Sequence, residues 1–248
     1  MPNQQKVALV TGAAKRIGAE IARQLHATNF NLIIHYYHSE PEAFALVNEL
    51  NSQRADSAIA IKADLNNHVQ LMALAKQASE KWQGVSLLIN NASSFYPTQF
   101  GEASEADWDD LIGSNLKAPY FLAQALAPAL TAAAGCIVNI ADIYADKPLR
   151  GHSIYSIAKA GNLMLTKSLA QELAPRVRVN GIAPGAILWP EQEGKLSDDD
   201  KEKMLNKIPL QQRGQAQDIA KAIMFLVIDA PYVTGQVLTV DGGRSLTI

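Results

Sequence analysis

Val7-Ala-Leu-Val10-Thr11-Gly12-Ala-Ala-Lys15-Arg16-Ile17-Gly18 is the stretch that decides the expected fold of this 248-residue chain. Its four leading apolar residues predict a buried strand, and the apolar-periodic segment that begins at Gly18 predicts a helix. A glycine-rich turn between a strand and a helix directs free backbone N–H groups and the positive end of the helix dipole at an anion such as a diphosphate. Glycine turns are common, so the expectation of an anion site depends on the strand before this turn and the helix after it.

The same alternation of strand and helix continues to the end of the chain. Strands are predicted at Val7–Val10, Asn31–His35, Ser57–Lys62, Ser86–Asn90, Cys136–Ala141, Arg178–Ile182 and Val237–Val240. Helical patterns lie near Gly18–His26, Pro41–Ser52, Val69–Trp82, Ala106–Leu130, Ile154–Leu173 and Ala216–Ile228. Most of the strand segments are continuous apolar runs, which is typical of strands covered on both faces. We therefore expect an α/β protein in which residues 1–248 form a single-domain Rossmann fold. Its seven-stranded sheet should be parallel and doubly wound, with helices on both faces.

The composition argues against several classes of function. A net charge of -2 gives no electrostatic footprint for nucleic acid or for an anionic membrane. The five histidines have no metal-ligand spacing, so we expect no metal site. The single cysteine, Cys136, lies in an apolar run and is predicted to be a buried strand thiol, as suits a reducing cytosol. The polar segment Met1–Lys6 does not resemble a signal peptide, and no apolar run is long enough to span a membrane, so we expect a cytoplasmic protein.

The end of the second predicted strand indicates which nicotinamide cofactor would bind. An NAD site carries an acidic residue there for the ribose 2′-hydroxyl. Here the sequence is His35-Tyr36-Tyr37-His38-Ser39, and the first acid, Glu40, already opens the next helix. Lys15 and Arg16 add two cations in the neighbouring turn, so the pattern fits a 2′-phosphate and hence NADPH. The alternative is that both cations are surface charges. Asp64-Leu65, after the third strand, is placed to meet an adenine ring.

A Tyr-x-x-x-Lys motif, Tyr155-Ser-Ile-Ala-Lys159, follows Asp142 by thirteen positions. Residues four apart share one face of a helix, so the phenol and the ammonium of this motif would be neighbours. The cation favours the phenolate, and we expect it to lower the pKa of Tyr155 towards working pH, which makes the phenol a proton donor. Alone, the motif occurs by chance on many helices.

Several motifs taken together give the chain its resemblance to a known family. They are Thr11-Gly12-x-x-x-x-Ile-Gly18, Asn90-Asn91-Ala92, Asn115, Tyr155-x-x-x-Lys159 and Pro184-Gly185, in that order. The chain resembles the short-chain dehydrogenases/reductases over essentially its whole length. Arg16 replaces an expected glycine, Asp142 replaces an expected serine, and Asn90-Asn-Ala-Ser-Ser-Phe95-Tyr-Pro97 replaces the usual Asn-Asn-Ala-Gly. All three departures resemble the pteridine reductases.

The resemblance implies roles for the residues that match. A pterin ring would lie between the nicotinamide and Phe95, with Arg16 and Ser93 lining the same pocket. Asp142 beside Tyr155 could pass a proton to a ring nitrogen, particularly if burial raises the carboxyl pKa. In isolation, Phe95 could equally be a core aromatic under a loop.

Two further residues complete the expected catalytic group. Lys159 would bind the nicotinamide ribose and bias Tyr155. Asn115 would hold a water leading to Lys159, or else be an exposed helix asparagine.

The candidate site residues fall into three overlapping sets. The catalytic set is Asp142, Tyr155, Lys159 and Asn115. The cofactor-binding set is Gly12, Lys15, Arg16, Ile17, Gly18, Tyr37, His38, Ser39, Asp64, Leu65, Asn91, Ala92, Tyr155, Lys159, Pro184, Gly185 and Ile187. The substrate-binding set is Arg16, Ser93, Phe95, Asp142, Tyr155 and Trp189.

A polar segment at about 186–210 interrupts the alternation and is interpreted as a substrate lid, because it follows a central strand where ligands bind. Trp189 in this segment could cap the pocket or pack the lid inward. The acidic run Asp198-Asp199-Asp200 is interpreted as the solvated first turn of a short helix. The tail Asp241-Gly242-Gly243-Arg244 matches the family's C-terminal signature, and the resemblance implies a homotetramer.

The function expected from these features is NADPH-dependent pteridine reduction, with a dihydropterin, dihydrofolate or dihydromonapterin converted to its tetrahydro form. The competing enzyme is a general carbonyl or 3-oxoacyl-thioester reductase. A serine at position 142 and a glycine at position 93 would have favoured that enzyme, but the chain has Asp142 and Ser93. A catalytically inactive NADPH-sensing scaffold is the third alternative, and intact Tyr155, Lys159 and Asn115 argue against it.

Overall fold

A computed structural model describes residues 6–187 and 197–247, and its described part is built around one seven-stranded sheet. The spatial strand order is β3-β2-β1-β4-β5-β6-β7, and every neighbouring pair is parallel. The strands are β1 Val7–Val10, β2 Asn31–Tyr36, β3 Ala58–Lys62, β4 Leu87–Asn90, β5 Cys136–Ile140, β6 Arg178–Pro184 and β7 Val237–Val240. The expected α/β Rossmann architecture is confirmed, and all seven predicted strands are present.

Helices connect the strands as right-handed crossovers require. They are α1 Arg16–Ala27, α2 Glu40–Gln53, α3 His68–Glu80, α4 Glu105–Ile112, α5 Ala118–Ala132, α6 Ser153–Glu172, α7 Asp198–Leu205 and α8 Ala216–Met224. The predicted helix over Ala106–Leu130 is not regular throughout, because a π-helical turn, Gly113–Lys117, separates α4 from α5. The acidic run opens α7, as expected.

Two hydrophobic clusters cover the two faces of the sheet. Alternate residues of one strand point to opposite faces, so in β1 Ala8 and Val10 join one cluster while Val7 and Leu9 join the other. Cys136 at the start of β5 is buried as predicted, and burial raises the pKa of its thiol to about 11. Across residues 6–187 and 197–247, no helix is long and apolar enough to cross a membrane.

The sheet has a switch point between β1 and β4. From β1 the chain builds outward through β2 to β3, and from β4 it builds in the opposite direction to β7. In such sheets a crevice opens at the carboxyl ends of the strands on either side of the switch. Thr11 and Gly12 follow β1 there, and Asn91 follows β4, so the two glycine- and asparagine-containing loops meet at one edge of the sheet.

Candidate functional site

Hydrogen bonds join the glycine-rich turn to the loop after β4. The Thr11 hydroxyl accepts from the backbone N–H of Asn91 at 2.9 Å and of Ala92 at 3.0 Å. The Asn91 amide donates back to the carbonyls of Thr11 at 2.9 Å and Gly12 at 3.1 Å. Four bonds between two loops hold them at a fixed separation, which a rigid anion site at the head of α1 requires.

Two glycines of the turn lie where a side chain would collide with backbone. A Cβ at Gly18 would come within 2.5 Å of the Gly12 carbonyl oxygen, and one at Gly12 would meet the Ala92 Cα at 3.0 Å. Gly12 also has a φ of 61°. This close approach leaves the N-terminus of α1 open to a ligand, which fits the diphosphate of a dinucleotide. Ile17, between the two, packs against the core.

Arg16 adopts the left-handed backbone conformation, with a φ of 54°. Glycine is the residue that populates this region without strain, which explains why a glycine is expected at the position. A non-glycine residue held there costs of order 1 kcal/mol and is found at functional sites. The start of α1 therefore carries an exposed arginine side chain where the expected glycine would have only a hydrogen atom.

His35 supports the turn from beneath, although sequence reasoning did not assign it a role. Its Nδ1 accepts from the Gly12 backbone N–H at 3.1 Å, and its Nε2 lies 3.1 Å from the Ala63 carbonyl oxygen. These partners require a neutral ring with the proton on Nε2. Burial lowers the pKa of His35 to about 4, which keeps the ring neutral.

The end of β2 presents the side chains predicted to meet a ribose phosphate. Tyr37 and His38 are exposed, with ring centroids 3.7 Å apart, and Ser39 is partly exposed. Asp64 and Leu65 follow β3 at the same edge, where the Asp64 carboxylate accepts from the Asn66 N–H at 2.9 Å. Both groups of residues therefore follow the carboxyl ends of two neighbouring strands, β2 and β3.

The cations and carboxylates around this edge form ion pairs. Lys15 Nζ lies 2.7 Å from a Glu42 carboxylate oxygen, and Lys62 Nζ lies 3.7 Å from Glu40. All four groups are exposed, so each pair contributes little to stability. Lys15 therefore has a carboxylate partner in the first turn of α2.

The predicted catalytic side chains meet where β5 ends and α6 begins. Asp142 follows β5, and its Oδ1 accepts from the Tyr144 N–H at 2.9 Å, which fixes the carboxyl group. The Tyr155 hydroxyl lies 2.8 Å from Asp142 Oδ2 and donates to it. Lys159, one turn along α6, places its ammonium 5.6 Å from the centre of the Tyr155 ring and donates to the Ile140 carbonyl at 2.8 Å.

The pKa values of these groups are set mainly by burial. Burial raises the pKa of Asp142, opposed by the bonds from Tyr144 and Tyr155 and by the charge of Lys159. Burial lowers the pKa of Lys159 to about 8. The pKa of Tyr155 is raised well above its usual range, first by burial and then by Asp142, so the expected lowering is wrong. Burial first, and then the charge and hydrogen bond of the Asp142 carboxyl, keep the phenol protonated.

Asn115 lies inside the protein, in the π-helical turn, so its interpretation as an exposed helix residue is wrong. Only 1% of the residue is exposed. Its side-chain amide donates to the carbonyls of Ser94 and Leu111, both at 2.9 Å. Asn115 therefore ties the loop after β4 to the helix that packs against α6.

Phe95 is 51% exposed, which excludes its interpretation as a core aromatic. Its ring meets the Tyr155 ring edge to face at 4.8 Å and lies nearly parallel to the His152 ring at 4.8 Å. Ser93, two residues earlier, is also exposed. The loop after β4 therefore presents an aromatic surface directly beside the phenol of the catalytic group.

The loop after β6 contributes the remaining predicted residues. Pro184 ends β6, Gly185 donates its N–H to the Val240 carbonyl at 3.0 Å, and Ile187 is buried. A Cβ at Gly185 would come within 2.5 Å of the Asp241 Cβ, so glycine is required there. Trp189 and most of the first half of the predicted lid lie outside the described residues.

Comparison with known proteins agrees with this geometry. The family model described as enoyl-(acyl carrier protein) reductase matches residues 12–245. Pteridine reductase 1 of Leishmania tarentolae is 36% identical, over 97% of this chain and 96% of its own. A 3-oxoacyl-(acyl-carrier-protein) reductase of Staphylococcus aureus is 38% identical, over 96% and 97%. The chain belongs to the short-chain dehydrogenase/reductase family. Nodulation protein G of a Rhizobium species is 35% identical, over 96% of both chains.

As a short-chain dehydrogenase/reductase the protein is an oxidoreductase, and its fold brings nearly all the predicted site residues to one edge of the sheet. Sequence reasoning missed the contributions of Thr11, His35 and His152. For the first two the available signal was a polar side chain at the carboxyl end of an apolar strand pattern. His152 gave none, because it meets Phe95 only in the folded chain.

Proposed function

We propose that the protein is an NADPH-dependent pteridine reductase that converts a dihydropterin, such as dihydrobiopterin, dihydromonapterin or dihydrofolate, to its tetrahydro form. The observation that carries the proposal is the 2.8 Å contact between Tyr155 and the Asp142 carboxyl. Reducing a ring C=N bond requires a proton on nitrogen, and a carboxyl group whose pKa is raised by burial, hydrogen-bonded to a phenol, is suited to pass that proton.

The reaction balances with one hydride and one proton. When bound, NADPH supplies the hydride to the ring carbon of the C=N bond. Asp142, hydrogen-bonded to Tyr155, would pass the proton from this pair to the ring nitrogen, directly or through water. The proton is replaced from solvent, and the sum is dihydropterin, NADPH and a proton converted to tetrahydropterin and NADP⁺. Lys159 would bind the nicotinamide ribose through its buried ammonium.

The aromatic surface beside the phenol supports a flat heterocyclic substrate. Phe95 offers an exposed ring 4.8 Å from that of Tyr155, and aromatic rings favour offset stacks at such separations. Exposed Arg16 and Ser93 add a cation and a hydroxyl to the same edge of the sheet. A 3-oxoacyl thioester, with its flexible chain, has no need of a stacking surface.

The end of β2 supports NADPH rather than NADH. Tyr37, His38 and Ser39 leave no carboxylate at the strand end, and the acids that follow, Glu40 and Glu42, are engaged by lysines. A 2′-phosphate would then meet hydroxyl, imidazole and cationic groups with no acidic residue among Tyr37, His38 and Ser39.

The second candidate is a 3-oxoacyl-thioester reductase, because relatives with that name match the chain at similar identity. Asp142 weighs against it. A carboxyl group that shares the phenol's hydrogen bond occupies the place where a neutral hydroxyl would help to bind a ketone oxygen as negative charge develops on it.

We also propose that the protein assembles as a homotetramer. The family resemblance implies that the long helices around Ala106–Leu130 and Ile154–Leu173 pack between subunits. These helices carry exposed apolar side chains, among them Trp108 on α4, Tyr120 on α5, and Ile157 and Met164 on α6. Exposed apolar groups that recur on adjacent helices are typical of interfaces between subunits.

Substitutions at Asp142 test the catalytic assignment. Asp142→Asn keeps the shape and the bond to Tyr144 but cannot deliver a proton, so pterin turnover should fall at least about a hundredfold with NADPH binding unchanged. Tyr155→Phe should be equally impaired, and the double variant little worse, because the two groups act as a unit. Asp142→Ser should leave pterin reduction poor while weak ketone reduction appears. Near-normal turnover in Asp142→Asn would remove the carboxyl from the proton path.

A further inference from the structure

Helix α6 carries a continuous buried polar stripe that extends beyond the catalytic motif. Tyr155, Lys159, Asn162 and Thr166 follow one another at helical spacing, so they share one face. All four are buried, and Asn162 is only 1% exposed. The Asn162 side chain lies one turn beyond Lys159, and the proposed catalytic scheme gives it no task. A buried amide normally satisfies its hydrogen bonds, so its partners indicate what it does.

Asn162 binds the main chain of the catalytic asparagine. Its Nδ2 donates to the Asn115 carbonyl oxygen at 3.0 Å. In an α-helix that carbonyl would accept from the N–H four residues later, but that residue is Pro119, which has no N–H. The sequence itself therefore leaves the carbonyl without its α-helical donor, and Asn162 supplies a donor from a neighbouring helix.

Asn162 is held in place from the other side. The Thr166 hydroxyl donates to the Asn162 backbone carbonyl at 3.0 Å and accepts from Asn139 Nδ2 at 2.9 Å. Asn139 in turn accepts from Asn90 at 2.8 Å. This chain of buried bonds runs from β4 through β5 to α6 and ends at the Asn115 carbonyl. Each member restricts the next, so the position of that carbonyl is set by the whole chain.

Two side-chain amide oxygens lie at the end of this series of hydrogen bonds. Asn115 Oδ1 and Asn162 Oδ1 are fully buried, and within residues 6–187 and 197–247 neither accepts a hydrogen bond. Their orientations are fixed, because each Nδ2 must face a carbonyl acceptor. A buried acceptor without a donor is destabilising, and internal water is the usual donor at such places.

We propose that Asn162 is a positioning residue for proton transfer: its amide nitrogen fixes the Asn115 carbonyl, and its oxygen, with that of Asn115, binds internal water one helical turn from Lys159. The family resemblance already implies a water that leads from Asn115 to Lys159, and the new element is Asn162, which would hold both the Asn115 carbonyl and the water. The inference goes beyond the proposed substrate, because it concerns the proton path beneath Tyr155 rather than the pocket above it.

Kinetics of Asn162→Leu, which removes both polar groups at similar volume, test the positioning role. The matched control is Asn180→Leu on β6, where a fully buried amide donates to the Val233 carbonyl at 2.8 Å and accepts from the Gln236 N–H at 3.1 Å. Both variants should lose thermal stability. Only Asn162→Leu should lower kcat, by about tenfold or more, with a displaced pH profile and an altered solvent isotope effect, while the KM for NADPH stays within about twofold.

Asn162→Ser, which keeps a donor and leaves room for water, should recover part of the lost kcat. The substrate is dihydrobiopterin, or acetoacetyl-CoA if the pterin is not turned over, so failure of the pterin proposal does not decide this one. Equal loss of kcat in Asn162→Leu and Asn180→Leu would overturn the positioning role.

A crystal structure of the wild-type protein with NADPH tests the same proposal without catalysis. It should contain an ordered water within hydrogen-bonding distance of both Asn115 Oδ1 and Asn162 Oδ1. Well-defined electron density without a water at the two oxygens, or with other protein donors bonded to them, would overturn the water site.

Discussion

Protonation of His35 should destabilise the fold in mildly acidic solution, because the folded protein holds this ring neutral. The folded-state pKa is about 4 against an ordinary value of 6.5. The unfolded chain therefore binds the proton more tightly, and the stabilisation is complete above pH 6.5 and is lost as the pH falls towards 4. The difference between the two pKa values corresponds to about 3 kcal/mol over the whole window, and most of it should be gone at pH 4.5.

The assay is urea denaturation of the wild type and His35→Asn between pH 7.5 and 4.5. Asparagine can still accept from the Gly12 N–H but loses the bond to Ala63, so the variant should be about 1–3 kcal/mol less stable at pH 7.5. That difference should shrink, and can reverse, by pH 4.5. His38→Asn, at an exposed position beyond the end of β2, should keep the wild-type pH dependence. A wild-type-to-His35→Asn difference that stays constant across this range would refute the reasoning.

Three further predictions concern the cofactor, the substrate and the assembly. NADPH should be strongly preferred over NADH in kcat/KM, and comparable values for the two cofactors would contradict this. Lys15→Glu places a second carboxylate beside Glu42, so in a fluorescence titration it should weaken NADPH binding and leave NADH binding largely unchanged. Phe95→Ala should weaken pterin binding by about two- to tenfold beyond the loss of buried area and spare NADPH, as calorimetry can measure; parallel losses would make Phe95 a structural residue. Light scattering at micromolar concentration should give the mass of a tetramer, and a monomeric mass would refute the assembly.

The sheet was predictable from the sequence because its strands are short apolar runs bounded by turns. All seven appeared within one or two residues of their predicted bounds, and most of them are buried apolar runs of the kind that strands covered on both faces show. The π-helical turn at Gly113–Lys117 was not predictable in the same way. The apolar pattern continues through it, and only the proline at position 119 marks the break in the backbone bonding.

The members of the site were easier to predict than their electrostatics. Spacing on a helix placed Tyr155 and Lys159 together, and motif order placed Asp142 beside them. The direction of the Tyr155 pKa came out wrong, because the expectation weighed the lysine charge and left out burial and the carboxyl only 2.8 Å away. Desolvation depends on packing from several distant segments, which no local pattern encodes.

His152 and Asn162 illustrate a second limit. Each acquires its role from a partner far away in the chain, Phe95 in one case and the Asn115 carbonyl in the other. A histidine before a helix and an asparagine within one are ordinary in sequence. These two residues meet their partners only because α6 packs against the loop after β4 and against the π-helical turn in the folded protein.

The ratio of kcat/KM for dihydrobiopterin to that for acetoacetyl-CoA, both with saturating NADPH, tests the central claim most directly. The stacking surface of Phe95 and the carboxyl of Asp142 predict that the pterin is reduced by far the more efficiently. Efficient reduction of the thioester with little or no turnover of the pterin would contradict the account.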